Sequence, residues 1–231
     1  MWLVTARSGS KGLKHKNIRL LAKKPLLAYR IISAKKVKIK SQVWISTDSK
    51  KYAQIAKKYG AKAPFLRPKK LSGDMAKSVD VALHAITWAE KNNIRFKLIG
   101  VLEPTSPFVR PKQLKQAVSI LDKNPAASGI VATKNVTPNT YLTQQKAKYL
   151  SKLAKRLKKL QDSRRQALSA EITPSGGFYI TKISSLKKYK SFYTPKTLSY
   201  TLESPCDLEI DTKIDFMWAK FVKSQCFDKK S

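Results

Sequence analysis

Residues 2–17 read Trp2-Leu3-Val4-Thr5-Ala6-Arg7-Ser8-Gly9-Ser10-Lys11-Gly12-Leu13-Lys14-His15-Lys16-Asn17. A short apolar run empties into a loop holding two glycines, two serines, an arginine and three lysines. Gly9 and Gly12 allow φ > 0 and a close approach of backbone N–H groups to a ligand. Arg7, Lys11 and Lys16 add positive charge, so the stretch suits a polyanion, with phosphate the obvious candidate. Its spacing is neither Gly-x-x-x-x-Gly-Lys-Ser/Thr nor Gly-x-Gly-x-x-Gly. Taken alone it therefore fits a basic, solvated strand-to-helix turn equally well, and the rest of the chain has to decide.

Outward from this loop, two periods alternate. Residues 25–37 put Leu26, Leu27, Arg30, Ile31 and Ala34 at helical spacing, with Pro25 in the first turn and only the stem of Arg30 expected among the apolar groups. Residues 42–47 form an apolar strand that ends in Ser46-Thr47-Asp48, and residues 49–59 a helix stopped by Gly60. A polar loop at 67–74 leads to an amphipathic helix at 78–91. The interior strand 97–102 then runs into Glu103-Pro104-Thr105-Ser106-Pro107. A helix at 111–122, strands at 128–133, 176–180 and 198–202, and a helix at 212–223 complete the pattern.

Strands alternating with helices of ten or more residues imply βαβ units. The expected fold class is α/β, a Rossmann-like three-layer αβα arrangement on a mostly parallel sheet, in one domain spanning residues 1–231. Regularity weakens over residues 135–171, where the lysine-rich part 146–165 reads as an excursion from the sheet: a flap, a dimerisation arm or a basic linker.

The 231 residues carry 48 Lys and Arg against 14 Asp and Glu, a formal net charge of +34. Such a field attracts nucleic acid, anionic membrane or polyphosphate without specificity. The charges are spread over nearly every segment, which fits solvated faces better than a dedicated binding stripe. No apolar run reaches 18 residues, so no membrane span is expected, and the start of the chain does not read as a secretion signal. Cys206 and Cys226 form no Cys-x-x-Cys pair, as in a cytoplasmic protein with free thiols.

In an open parallel sheet, ligands bind beyond the carboxyl ends of the strands. Four polar motifs fall there: residues 7–17, Ser46-Thr47-Asp48, residues 103–106 and the acidic run Asp207-Leu208-Glu209-Ile210-Asp211. Taken in order with Pro25-Leu26, Leu66-Arg67-Pro68, Asp74 and Ile210-Asp211-Thr212, they resemble the cytidylyltransferases that activate nine-carbon acidic sugars, the CMP-sialic acid synthetases with their legionaminic and pseudaminic relatives. The resemblance covers essentially the whole chain.

It implies a reaction of CTP with a 2-keto-3-deoxy sugar acid that gives a CMP-sugar and pyrophosphate with Mg²⁺, in a homodimer joined through the 135–165 excursion. By similarity, Arg7, Ser10, Lys11, Gly12, Lys16 and Asn17 would bind the nucleotide and its triphosphate, with Arg67 and Ser72 framing it. Arg7, Lys16 and Asp211 would carry catalysis. Asp211 and Glu209 would bind the metal, since a hard cation takes carboxylate oxygens and residues i and i+2 of an extended segment point the same way. Glu103, Thr105 and Ser106 would contact the sugar, and Arg164 and Arg165 its carboxylate. An ion pair with Asp74 is the plain structural alternative for Arg67, and helix capping that for Thr105 and Ser106.

The sequence departs from the family in places. Glu103 replaces a usual glutamine, which argues for an altered substrate or a compensating base. Glu209 stands for aspartate, Thr5 for proline, and Thr173 and Ser175 for the Arg and Asn of sialic acid enzymes. His15 and His84 look unimportant. The alternatives are an enzyme for another acidic sugar such as 3-deoxy-octulosonic acid, or a non-catalytic basic module that binds nucleic acid by charge.

Overall fold

A computed structural model describes residues 1–10, 12–136 and 171–227. The strands in chain order are β1 (Trp2–Thr5), β2 (Leu20–Leu21), β3 (Lys24–Pro25), β4 (Val43–Ser46), β5 (Leu98–Leu102), β6 (Gly129–Val136), β7 (Glu171–Lys182) and β8 (Thr197–Leu202). The α-helices are α1 (Leu26–Lys35), α2 (Lys50–Lys58), α3 (Ser78–Lys91), α4 (Pro111–Lys123), α5 (Ile183–Tyr189) and α6 (Lys213–Val222).

Six strands form one sheet in the order β4-β1-β5-β7-β6-β8. β1 pairs in parallel with β4 and β5, and β6 with β8, whereas β7 runs antiparallel to both β5 and β6. The sheet is thus mostly parallel with one reversed strand.

Alternation along the strands builds the layers. Trp2 and Val4 point to one face, with Leu27 and Ile31 of α1 and Leu114 and Ala117 of α4. Met1 and Leu3 point to the other, with Val79, Ala82 and Ile86 of α3 and Leu186 of α5. Helices on both faces make β1, β4 and β5 near-continuous apolar runs, as interior parallel strands require.

A third apolar cluster lies at one end of the sheet: Leu13, Leu21, Leu26, Phe108, Ile210, Phe216, Ala219 and Val222. It fastens the loop after β1 to α6, two segments almost two hundred residues apart.

Local signals explain most ends. The Ser49 hydroxyl accepts from the Tyr52 N–H at the start of α2, and Gly60 follows that helix at φ 89°, a conformation that favours glycine. Thr212 and Asp215 cap α6 reciprocally.

Four expectations need correction. Pro25 precedes α1 instead of opening it, because it pairs with Leu20 in a two-stranded ribbon. Arg30 is wholly buried, head as well as stem. Neither Gly9 nor Gly12 has positive φ; in the loop after β1 that conformation falls to His15, at φ 55°. β6 and β7 stay paired to the rung Val136–Glu171, so the ends of the expected excursion belong to the sheet. Its body, with Arg164 and Arg165, lies outside the described residues, as does Lys11.

Candidate functional site

The carboxyl ends of β1 and β5 open onto a cavity of about 470 Å³. Arg7, Ser10, Gly12, Lys16 and Asn17 line it from the loop after β1, and Arg67, Gly73 and Asp74 from the loop before α3. Ser78, Glu103, Thr105 and Asp211 close the other side. Of the expected nucleotide residues, six of eight therefore share one wall. Ser72 instead turns its hydroxyl onto the Pro68 carbonyl, 3.1 Å away.

The basic loop is held from behind. Asp48 accepts from the Ser8 N–H at 2.8 Å and from the Ser8 hydroxyl at 2.7 Å, so the Ser46-Thr47-Asp48 motif works as a clamp on the loop. The buried Asn17 amide donates to the Arg7 carbonyl at 2.9 Å. A Cβ on Gly12 would stand 2.7 Å from the Asp211 carbonyl. Glycine is needed there for close approach and not for φ.

The Arg7 guanidinium meets Asp74 at 2.7 Å. Arg67, buried, donates to the Ser46 hydroxyl at 3.1 Å, the Ser46 carbonyl at 2.5 Å and the Leu71 carbonyl at 3.4 Å. Burial lowers its pKa to about 10, with Asp48 opposing and Arg7 adding to the shift.

The facing wall is acidic. Glu103 is largely withdrawn from solvent and accepts from the Ser78 hydroxyl at 3.0 Å. Burial raises its pKa; the Ser78 bond and Lys16 oppose this, while Glu209 and Asp211 push it further up. The Glu103 and Glu209 carboxylates converge over Gly176, where an added Cβ would meet both. Arg30, reaching in from α1, donates to the Gly177 carbonyl at 2.6 Å and the Val109 carbonyl at 3.3 Å. Burial lowers its guanidinium to about 9, and the charge of Glu103 opposes that loss. The Arg30 guanidinium thus spends its hydrogen bonds on backbone carbonyls, one of them next to Gly176 in the chain.

Asp211 joins the two walls. Its carboxylate is 75% exposed and receives the Lys16 ammonium at 2.9 Å. Glu209, expected beside it, is turned into the sheet: it accepts from the Gly176 N–H and lies 3.5 Å from the Lys134 ammonium. Asp211 lines the cavity and Glu209 does not. Among the described residues no three His, Cys, Asp or Glu side chains are grouped to hold a metal.

The Thr105 carbonyl accepts from the Ile210 N–H at 2.9 Å, tying the loop after β5 to the acidic run. Ser106 and Ser175 are both buried, with hydroxyls that have no partner among the described residues. His15 lies 3.3 Å from the Tyr52 hydroxyl, and His84 packs edge-on against Phe65. Ser8, Ser78, Lys134 and Gly176 escape sequence reasoning, since no spacing links them to the groups they serve.

A parallel-edged α/β sheet with a clamped basic loop at its carboxyl end defines a polyanion-binding protein of nucleotide-binding type. The cytidylyltransferase family profile matches residues 1–215, and the chain belongs to that family.

Among its relatives, the CMP-N,N'-diacetyllegionaminic acid synthase of Legionella pneumophila is 31% identical over 219 residues, covering 94% of this chain and 92% of that one. A pseudaminic acid cytidylyltransferase of Campylobacter jejuni is 30% identical over 223 residues, covering 95% and 94%. The N-acylneuraminate cytidylyltransferase of Escherichia coli is 29% identical, but the chain spans only 49% of its length.

Two solved structures share the fold. CMP:2-keto-3-deoxy-manno-octonic acid synthetase complexed with CTP superposes with a TM-score of 0.69 at 15% identity, covering 97% of this chain and 98% of that one. The 4-diphosphocytidyl-2C-methyl-D-erythritol synthase of Anaerococcus prevotii gives 0.61 at 13%, covering 97% and 95%.

Proposed function

We propose that this cytidylyltransferase transfers CMP from CTP to a nine-carbon, sialic-acid-like sugar acid and releases pyrophosphate. The observation that carries the reading is the convergence of Arg7, Lys16 and Arg67 on one cavity with the exposed carboxylate of Asp211. The names of the relatives support the substrate class. The chain acts in the cytoplasm as one domain, paired with a second copy through residues 135–171.

Nucleotidyl transfer needs in-line positioning and neutralised oxyanions more than covalent chemistry. Arg7 and Lys16 face the triphosphate; Ser8 with Asp48, and Asn17, hold them there before CTP arrives. Arg67 sets the edge of the nucleotide pocket through Ser46. Thr105 and Glu103 lie towards the sugar.

The donor set fits a magnesium ion held by the Asp211 carboxylate and the phosphates of the substrate, since Mg²⁺ takes one or two carboxylates and keeps its waters. When bound, the ion would supply further charge neutralisation at the phosphate oxygens. Glu209 has no part in this reading.

Pyrophosphate release is the test. Purified protein with Mg²⁺ and CTP should release it with legionaminic, pseudaminic or sialic acid, and more slowly or not at all with 3-deoxy-octulosonic acid. Release with none of the three nine-carbon acids, whether or not 3-deoxy-octulosonic acid is used, would overturn the proposal.

A further inference from the structure

Helix α6 has two apolar faces. Phe216, Ala219 and Val222 are buried in the cluster with Leu13 and Phe108. On the opposite side, Ile214, Met217, Trp218 and Phe221 are 76%, 60%, 56% and 53% exposed. Their i, i+3, i+4, i+7 spacing gathers them into a single stripe. The Trp218 and Phe221 rings stack within it, centroids 5.2 Å apart. Four large apolar side chains together on one short helix form a patch, unlike apolar residues scattered singly over a surface.

The stripe has a basic border. At 3.6 residues per turn, Lys213 and Lys220 fall side by side along one edge of it, and the Lys220 ammonium sits 5.5 Å from the centre of the Phe216 ring. The whole chain carries +34. A second copy of this chain would bring the same large excess of positive charge to the contact. An anionic amphipathic surface satisfies stripe and border together: Trp, Phe, Ile and Met enter the boundary between headgroups and acyl chains while the lysines meet lipid phosphates. Among the described residues no helix is long and apolar enough to cross a membrane.

We propose that α6 docks this enzyme on an anionic lipid bilayer through Ile214, Met217, Trp218 and Phe221, with Lys213 and Lys220 on the headgroup phosphates. The helix begins at Lys213, its cap is Thr212 and Asp211 comes just before that cap, so docking sets the candidate site close to the bilayer. The proposal does not depend on which sugar the site takes.

Co-sedimentation of the full chain with extruded vesicles tests it. The chain should pellet with phosphatidylcholine mixed with phosphatidylglycerol and stay in solution with phosphatidylcholine alone. W218S/F221S keeps every charge, and both side chains lie on the surface, so melting should be unchanged while partitioning falls about tenfold or more. K213Q/K220Q should fall less and lose part of its dependence on salt. If W218S/F221S binds anionic vesicles as tightly as the parent, the charge of the whole chain accounts for adhesion and the proposal fails. It fails equally if light scattering shows that W218S/F221S converts a dimer into a monomer, because the stripe then belongs to a second copy.

Discussion

The two walls of the cavity are built in opposite ways. On the basic wall, Arg7 and Arg67 have their partners behind or beside them in Asp74, Ser46 and the Leu71 carbonyl, and Asp48 grips the loop that carries Arg7. On the acidic wall, Glu103 and Glu209 face one another over Gly176, relieved by Ser78 and Lys134. The first arrangement fixes donors in place for an incoming anion, so little reorganisation remains when charge develops. The second puts like charges together, so its protonation state answers to pH and to whatever enters. One wall is preorganised and the other is adjustable.

Asp211 is where the comparison can be broken most sharply. Asp211→Ala removes an exposed carboxylate that meets Lys16 and lines the cavity. Turnover of CTP should fall by about 10²–10³-fold, the scale of losing one group that stabilises transition-state charge. Stability should stay within roughly 0.5 kcal/mol of the parent, as for surface changes. Pyrophosphate release and thermal melting measured on the same sample check both. A variant that turns over at the parental rate would separate the two walls and move any metal elsewhere.

Arg30→Ala probes the support of the acidic wall from inside. The guanidinium is buried and donates to the Gly177 and Val109 carbonyls. Its loss takes this donor from the buried Gly177 carbonyl and should cost about 1–3 kcal/mol. Denaturant unfolding measures this. A cost below 1 kcal/mol would mean that the wall stands without this donor.

Asp48→Ala loosens the basic wall from behind. Two hydrogen bonds from Ser8 end on this carboxylate, so a loss of about 1–3 kcal/mol is expected. The Michaelis constant for CTP should rise more than the turnover number falls, because the loop is mispositioned while its cations remain. An unchanged Michaelis constant would show that the loop needs no clamp.

The two walls also differ in how far the sequence disclosed them. The basic wall follows from residues close together in the chain, placed by a strand whose apolar run is plain, and Gly60 and Ser49 mark their helix ends by ordinary local chemistry. The acidic wall depends on β7, which lies antiparallel between β5 and β6, and alternation within a strand carries no direction. The partner of Glu209 is the N–H of Gly176, thirty-three residues away, and no local spacing announces it. Arg30 is apolar in position and charged in kind, and nothing local tells stem from head. The turn at Ala22 and Lys23 has positive φ at both residues without a glycine or asparagine to announce it, so the ribbon of β2 and β3 left no trace in the pattern.

The smallest effect is the most diagnostic of the adjustable wall. A carboxyl group whose folded pKa lies above its ordinary value of 4.5 binds more proton in the folded than in the unfolded chain. By linkage, stability then falls as pH rises from that ordinary value through the raised one. Glu103→Gln keeps an oxygen to accept from Ser78 and cannot ionise. Its melting temperature should match the parent below the ordinary carboxyl range and exceed it increasingly as pH rises, with the gap levelling off above the folded pKa. A gap of one size at every pH would assign the effect to packing. A gap that closed on going from acid to neutral pH would mean that Glu103 is held ionised, with the pull of Lys16 outweighing burial and the two neighbouring carboxylates.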